Sequence, residues 1–257
     1  LTMNQTVKCK TCGVEFPFQG IDDGGLADRI RMAAGLECPP CSAKSAAANR
    51  AQEELERMQR IDSAWKELCP REYRTLRERG HTDPERLTTC KITATDGSAA
   101  SLEDLTFAWD GNDYGIWITG ASGTMKTRAA WRVCRKAVEA GKTVRAFTAW
   151  TWQASYQDAT GKFETQTWMT DVCRSGLVFI DDIGKSDWSV SASSAFFEMI
   201  ERRTNSGKPV LFTSNHGRGD IGKMFDSSKS LAIQGTADAI TRRLKEYFRA
   251  YLFQASK

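Results

Sequence analysis

The segment Gly120-Ala121-Ser122-Gly123-Thr124-Met125-Lys126-Thr127 constrains this chain more than any other. It follows a short apolar run, Tyr114 to Thr119, and opens a helical pattern from Lys126 to Ala140 that stops at Gly141. A strand that runs straight into a glycine-rich loop and then a helix is the setting of a phosphate-binding loop, in which successive backbone N–H groups and the helix N-terminus cradle phosphate oxygens. In such a loop Lys126 reaches the β and γ oxygens, and the Thr127 hydroxyl ligates Mg2+. The spacing departs from G-x-x-x-x-G-K-[ST] at one position, where Met125 replaces the second glycine. The loop must then take its shape with a side chain present. Taken alone, the same letters also fit an ordinary strand-to-helix connection.

A second element narrows the choice. Leu177-Val178-Phe179-Ile180 is continuously apolar, as expected for a strand buried on both faces of a parallel sheet, and Asp181 and Asp182 follow at once. Carboxylates at that strand end face the loop: Asp181 is expected to bind Mg2+ through its water shell, and Asp182 to orient and deprotonate an attacking water. A solvated turn is the plainer reading of paired acids, but a turn does not normally follow four apolar residues in this register. The next strand, Pro209 to Thr213, leads to Ser214 and Asn215, whose amide is placed to touch the γ-phosphate or the water. Further strands at Val144 to Thr148 and Tyr247 to Phe253, and helices at Ser191 to Thr204 and Ala237 to Glu246, complete an alternating pattern. Alternation of this kind predicts a three-layer α/β domain on a parallel sheet, with active residues at the strand C-terminal ends.

Together, the loop at Gly120 to Thr127, the Leu-Val-Phe-Ile-Asp-Asp-Ile-Gly run ending at Gly184, and the stretch from Ile200 to Asn215 resemble the helicase-loader-like AAA+ ATPases of the DnaC/IstB group. The resemblance covers about residues 100 to 257. It implies the AAA+ core sheet, binding and hydrolysis of ATP with Mg2+, homo-oligomeric rings or spirals, and work on a replicative helicase or transposase at DNA, single-stranded DNA included. The stretch after Asn215 is too short for a helical lid, which the group likewise tends to lack. Cofactor contacts would come from Gly120, Ala121, Ser122, Gly123, Thr124, Met125, Lys126, Thr127 and Asp181, and catalysis from Lys126, Asp182 and Asn215. Arginines acting across a subunit boundary are also implied, and the candidates are Arg202, Arg203 and Arg243, the last in Thr241-Arg-Arg-Leu244, which is similar to the group's Asp-Arg-Leu segment. For each of the three, a solvated helix arginine is the plain alternative.

The N-terminal segment has a different chemistry. Cys9 and Cys12, then Cys38 and Cys41, form two C-x2-C pairs, and Gly13 permits the tight turn after the first. Four thiolates so arranged suit one tetrahedral Zn2+, whose ligation would supply the folding energy that so short a segment lacks. A redox dithiol or two disulfides are the alternatives. Cys69, Cys90, Cys134 and Cys173 are scattered singly, the pattern of a reducing compartment rather than a secreted disulfide scaffold. No apolar run is long enough to cross a bilayer and no leader-like pattern opens the sequence, so a cytoplasmic protein without a membrane partner is expected. The 36 basic and 32 acidic residues leave +4, a balance compatible with nucleic acid that does not demand it.

Between the two lies a charged helix, Ser42 to Leu68, with Leu55, Met58, Ile61, Trp65 and Leu68 on one stripe. The stripe either packs on the chain's own domains or binds a partner. Residues 70–100, with Pro70, Gly80, Pro84 and Gly97, read as an irregular linker. The expected division is a zinc module at 1–42, helix and linker at 43–100, and the ATPase core at 101–257. Trp150, Trp152 and Trp168 are expected in the core, with base stacking as the alternative, and His216 is expected at the surface.

Overall fold

The computed structural model describes residues 4–19, 35–70, 73, 90–101, 104–105, 115–184, 188–217, 238 and 241–255. Tyr114, Gly80, Pro84 and the beginning of the helix expected from Ala237 lie outside them, as does most of the stretch between Asn215 and Thr241. The chain divides into two units, Leu1–Arg60 and Ile61–Lys257.

In the first unit, β1 (Asn4–Lys8) pairs antiparallel with β2 (Glu15–Gln19), and Cys9 and Cys12 occupy the turn between them. Helix α1 (Pro39–Leu68) begins between Cys38 and Cys41. Two prolines start it without loss, because the first N–H groups of a helix have no intrahelical partner. The unit boundary falls inside α1, and the apolar stripe divides there. Leu55 and Met58 are exposed, whereas Ile61 is buried and Trp65 and Leu68 pack with Trp131 of the second unit's core.

The second unit is built on a seven-stranded sheet. Its strands are β3 (Cys90–Ala94), β4 (Ala99–Ala100), β5 (Gly115–Gly120), β6 (Val144–Thr148), β7 (Leu177–Ile183), β8 (Val210–Ser214) and β9 (Phe248–Ala255), in the order β4-β3-β9-β5-β8-β7-β6. The five strands from β9 to β6 are parallel, as the alternating pattern requires. The sheet is nevertheless mixed rather than wholly parallel. Cys90–Ala94 and Ala99–Ala100, which the sequence offers as linker, form an antiparallel hairpin that extends the sheet alongside β9. Ile92 is the reason this edge holds, since its side chain is buried with Tyr251 and Phe253 of β9.

Helix α2 (Lys126–Glu139) covers one face, and α3 (Ala149–Gly161), α4 (Thr165–Arg174) and α5 (Val190–Asn205) cover the other. A last helical stretch, α6 (residues 241–247), leads into β9. Strand alternation sorts the core: Leu177 and Phe179 meet α2, while Val178 and Ile180 meet the opposite helices. Trp152 and Trp168 join Phe147 and Phe196 in that second cluster, as expected, whereas Trp150 is 69% exposed at the start of α3.

Candidate functional site

The loop from Gly120 to Thr127 joins the C-terminal end of β5 to the first turn of α2. Gly120 has φ 150°, and a Cβ there would come within 2.2 Å of the Phe253 carbonyl oxygen on β9, so only glycine fits. Met125 has φ 65° and ψ 16°, the left-handed conformation that glycine adopts without penalty and a side chain resists. The loop thus has the shape expected of it, and Met125 bears the strain. The Lys126 ammonium is buried and donates to Gly120 O at 2.9 Å, Ala121 O at 2.7 Å and Asn215 Oδ1 at 3.0 Å. Thr124 closes the turn by donating to Ala121 O, and Ala121, Ser122 and Gly123 face solvent.

Strand β8 lies between β5 and β7, which brings the ends of three strands together. The Thr127 hydroxyl donates to Asp181 Oδ1 at 2.9 Å. Its oxygen keeps lone pairs for a cation while its hydrogen goes to the carboxylate, the polarity that a shared Mg2+ site demands. The Thr213 hydroxyl donates to the same Asp181 oxygen and accepts from the Asp182 N–H at 2.8 Å. Asp182 has φ 55°, and the pairing of β7 with β8 shifts between Ile180 and Ile183, a bulge under the acid pair. Asn215 stands at the end of β8 next to Lys126. The following residue is pinned through its backbone, because His216 O accepts from Trp117 Nε1 and Thr119 Oγ1 while the imidazole stays at the surface.

The structure gives the three arginine candidates three different positions. Arg203 is corrected outright: it is 0% exposed, and its guanidinium donates to the carbonyls of Val172, Cys173, Ser175, Gly176 and Pro209. Burial pulls its pKa down to about 10. A guanidinium enclosed in this way clamps the end of α4 to the start of β8 and cannot leave to meet another subunit. Arg202 is exposed and paired with Glu198, and Arg243 donates to Glu201 Oε1 at 2.8 Å. Helix periodicity distinguishes Arg203 from Arg202, since Arg203 lies three residues beyond Ile200 and seven beyond Phe196 on the buried stripe of α5. Thr213 gave less warning. Its one signal is a hydroxyl that directly follows three apolar residues of the strand.

In the first unit, the Sγ atoms of Cys9, Cys12, Cys38 and Cys41 all lie within 4.8 Å of one another, and all four cysteines are free. Cys12 Sγ and Cys38 Sγ are 3.6 Å apart, which is too far for a disulfide and close to the edge of a tetrahedron of Zn–S bonds of about 2.3 Å. The Cys38 and Thr11 N–H groups donate to Cys9 Sγ at 3.3 and 3.4 Å. The first of these is the main cause that holds the Cys9 thiol down at about 6, while the crowding thiols of Cys12 and Cys38 push Cys41 up to about 12. Sulfurs packed this closely, with amides aimed at one of them, fit a metal that takes thiolates.

Residues 48–245 match the family of IstB-like ATP binding proteins. No curated protein matches the chain. Among solved structures, it is similar to the replication initiator DnaA bound to AMPPCP and single-stranded DNA (16% identity, 60% of this chain and 44% of that one, TM-score 0.49) and to AMPPCP-bound DnaA from Aquifex aeolicus (17% identity, 52% and 40%, TM-score 0.42). It is also similar to DnaI (14% identity, 67% and 95%, TM-score 0.49). The chain spans less than half of the length of those two DnaA chains.

Proposed function

The chain belongs to the family of IstB-like ATP-binding proteins, and from that membership we propose that it is an Mg2+-dependent AAA+ ATPase that acts at DNA as the loader of a replicative helicase. The observation that carries the reading is the meeting of Thr127 with Asp181 at 2.9 Å, beside a Lys126 drawn into the loop between them and Asn215. Thr127 and Asp181 would hold Mg2+, which when bound neutralises charge on the β and γ oxygens. Lys126 would exchange its loop carbonyls for phosphate oxygens. Asp182 would take the proton of the attacking water, and Asn215 would orient that water.

Arg202 sits near the C-terminal end of α5, which leads into the start of β8, and Arg243 pairs with Glu201 of the same helix, so both lie toward the strand N-terminal ends, away from the loop at the C-terminal ends. From there neither serves its own phosphate. A guanidinium on this edge would act on a second copy of the chain, within a homo-oligomer. The cysteine unit would hold one Zn2+ and present a folded surface to DNA or to a protein partner in the cytoplasm. Two observations favour second readings: the family description favours a transposition ATPase that serves a transposase, and the left-handed Met125 favours a zinc-containing adaptor without turnover.

The test is ATP hydrolysis by the purified chain, with and without single-stranded DNA and a replicative helicase. Turnover that requires Mg2+ and disappears in Lys126→Ala supports the reading. Binding without turnover under every condition would leave the adaptor, and stimulation by a transposase instead of a helicase would leave the transposition ATPase.

A further inference from the structure

Thr213 lies in the middle strand of the site, fully buried, and none of the proposed chemistry uses it. Its surroundings give its hydroxyl a single possible arrangement. A backbone N–H only donates, so Asp182 N must give its hydrogen to Thr213 Oγ1; an ionised carboxylate only accepts, so the hydroxyl hydrogen must go to Asp181 Oδ1. One side chain on β8 therefore holds the carboxylate of the first acid and the backbone of the second. Ser214 completes the bracket by donating to Ile183 O at 2.7 Å, just past the bulge.

The bulge matters because of strand geometry. In an unbroken strand, Asp181 and Asp182 would point to opposite faces of the sheet. A bulge re-aims side chains, and here it does so with Asp182 at φ 55°, a conformation that aspartate tolerates better than most residues but still at a cost. The N–H of Asp182, turned out of the ladder by that conformation, finds its partner in Thr213.

We infer that Thr213 is the positioning residue that divides labour between the two carboxylates, fixing Asp181 beside Thr127 for the cation and holding Asp182 in the bulge that aims it at the attacking water. The inference rests on the ATPase reading above and adds to it a residue that touches neither nucleotide nor metal. Removing the hydroxyl frees Asp181 to rotate and lets β7 relax toward regular pairing.

The experiment compares Thr213→Val, which keeps the shape and loses the hydroxyl, with Thr213→Ser, which keeps the hydroxyl and loses a methyl. In Thr213→Val, kcat is expected to fall about ten- to a hundredfold and the Mg2+ concentration for half-maximal rate to rise several-fold, with the ATP KM at saturating Mg2+ little changed. Thr213→Ser is expected to restore both quantities. A purely structural role would lower the unfolding temperature of both variants and leave the Mg2+ midpoint of the folded fraction alone, and that result overturns the inference. So does a Thr213→Ser variant as impaired as Thr213→Val. If Thr213→Val does not fold, Thr213→Cys, which lacks a strong donor, replaces it under the same criteria. Asp182→Asn is the control. If the parent itself hydrolyses no ATP, the ATPase reading fails; if the parent turns over and Asp182→Asn is inactive while Thr213→Val behaves as the parent, only the positioning role fails.

Discussion

The two units of this chain are held by different physics. Among the described residues of the first, the buried apolar side chains are Cys9 and Cys38, whereas the second buries Trp117, Trp152, Phe179, Phe196, Phe212 and many smaller residues on two faces of a sheet. A hairpin and the largely exposed part of α1 up to Arg60 cannot offset the entropy of their ordering from so little apolar area. Four sulfurs within 4.8 Å of one another would, with a metal, do what a core does elsewhere. The second unit needs no such aid, and it can place strained residues such as Met125 and Asp182 at its functional edge because the sheet beneath over-determines them. Stability and function should therefore be separable: the first unit is expected to lose its fold with a thiolate-bound metal, and the second to lose chemistry without losing its fold.

The strongest way to break that contrast is to remove the metal. Structural zinc contributes about 10 to 16 kcal/mol of apparent binding energy in small modules. Cys38→Ser, or prolonged chelation, should therefore unfold residues 1–60 and leave 61–257 cooperative, read as protease cleavage confined to the first unit together with one zinc per chain in the untreated parent. Protein purified without chelator that holds no zinc by elemental analysis would end the idea.

Within the second unit, chemistry should fail where the fold does not. Asp182→Asn should bind ATP with Mg2+ and hydrolyse it about 100- to 10,000-fold more slowly, the usual contribution of a positioned general base. Asp181→Asn should instead weaken Mg2+-dependent binding itself, because the Thr127 hydroxyl loses its carboxylate acceptor. Equal binding and equal turnover in the two variants would contradict the division of roles.

Arg203 tests the opposite case, a charged residue of this unit that serves only the fold. Arg203→Met removes the guanidinium from at least five backbone carbonyls and should cost about 3 to 5 kcal/mol, lowering the unfolding temperature of the second unit by roughly 10 °C and leaving the first unit untouched. An unchanged melting curve with assembly-dependent loss of ATPase would reinstate it as an arginine that acts between subunits.

The same contrast explains what the sequence could announce. Metal ligands and phosphate loops depend on residue types at fixed spacing, so the two C-x2-C pairs and Gly120 to Thr127 stand out without any knowledge of the fold. Leu177 to Ile180 was equally plain, because burial on both faces leaves no polar alternation. Hidden features depend on which neighbour a residue meets. Cys90 to Ala100 reads as linker because its strands are short and their turn is polar, while the place where Ile92 is buried is supplied by a core that includes Tyr251 and Phe253 of the distant β9. The left-handed Asp182 has no signal of its own, since nothing in Ile-Asp-Asp-Ile marks a bulge. Arg203 is decipherable in principle from the stripe of α5, where helical periodicity places it with Phe196 and Ile200.

Met125 offers the finest test, because there the same unit carries strain that its sequence declared and its backbone bears out. A left-handed conformation in a residue with a Cβ costs on the order of 1 to 3 kcal/mol, a cost that glycine escapes. Lys126 and Thr127 are retained and joined to Gly120, Ala121, Asn215 and Asp181, so the cradle exists, and strain should weaken nucleotide binding without abolishing it. If the relief acts mainly on the nucleotide-bound loop, Met125→Gly should tighten ATP binding by up to about 10- to 100-fold, which corresponds to about 1.4 to 2.8 kcal/mol. If the free loop is strained equally, the same variant should raise the unfolding temperature and leave affinity unchanged, since energy common to both states cancels. Titration calorimetry with and without Mg2+, together with thermal melts of both proteins, separates the two outcomes. A parent that binds no ATP at any accessible concentration, even with DNA and partner present, while the glycine variant binds it, would mean that Met125 fills the phosphate site and that the chain is an adaptor and not an ATPase.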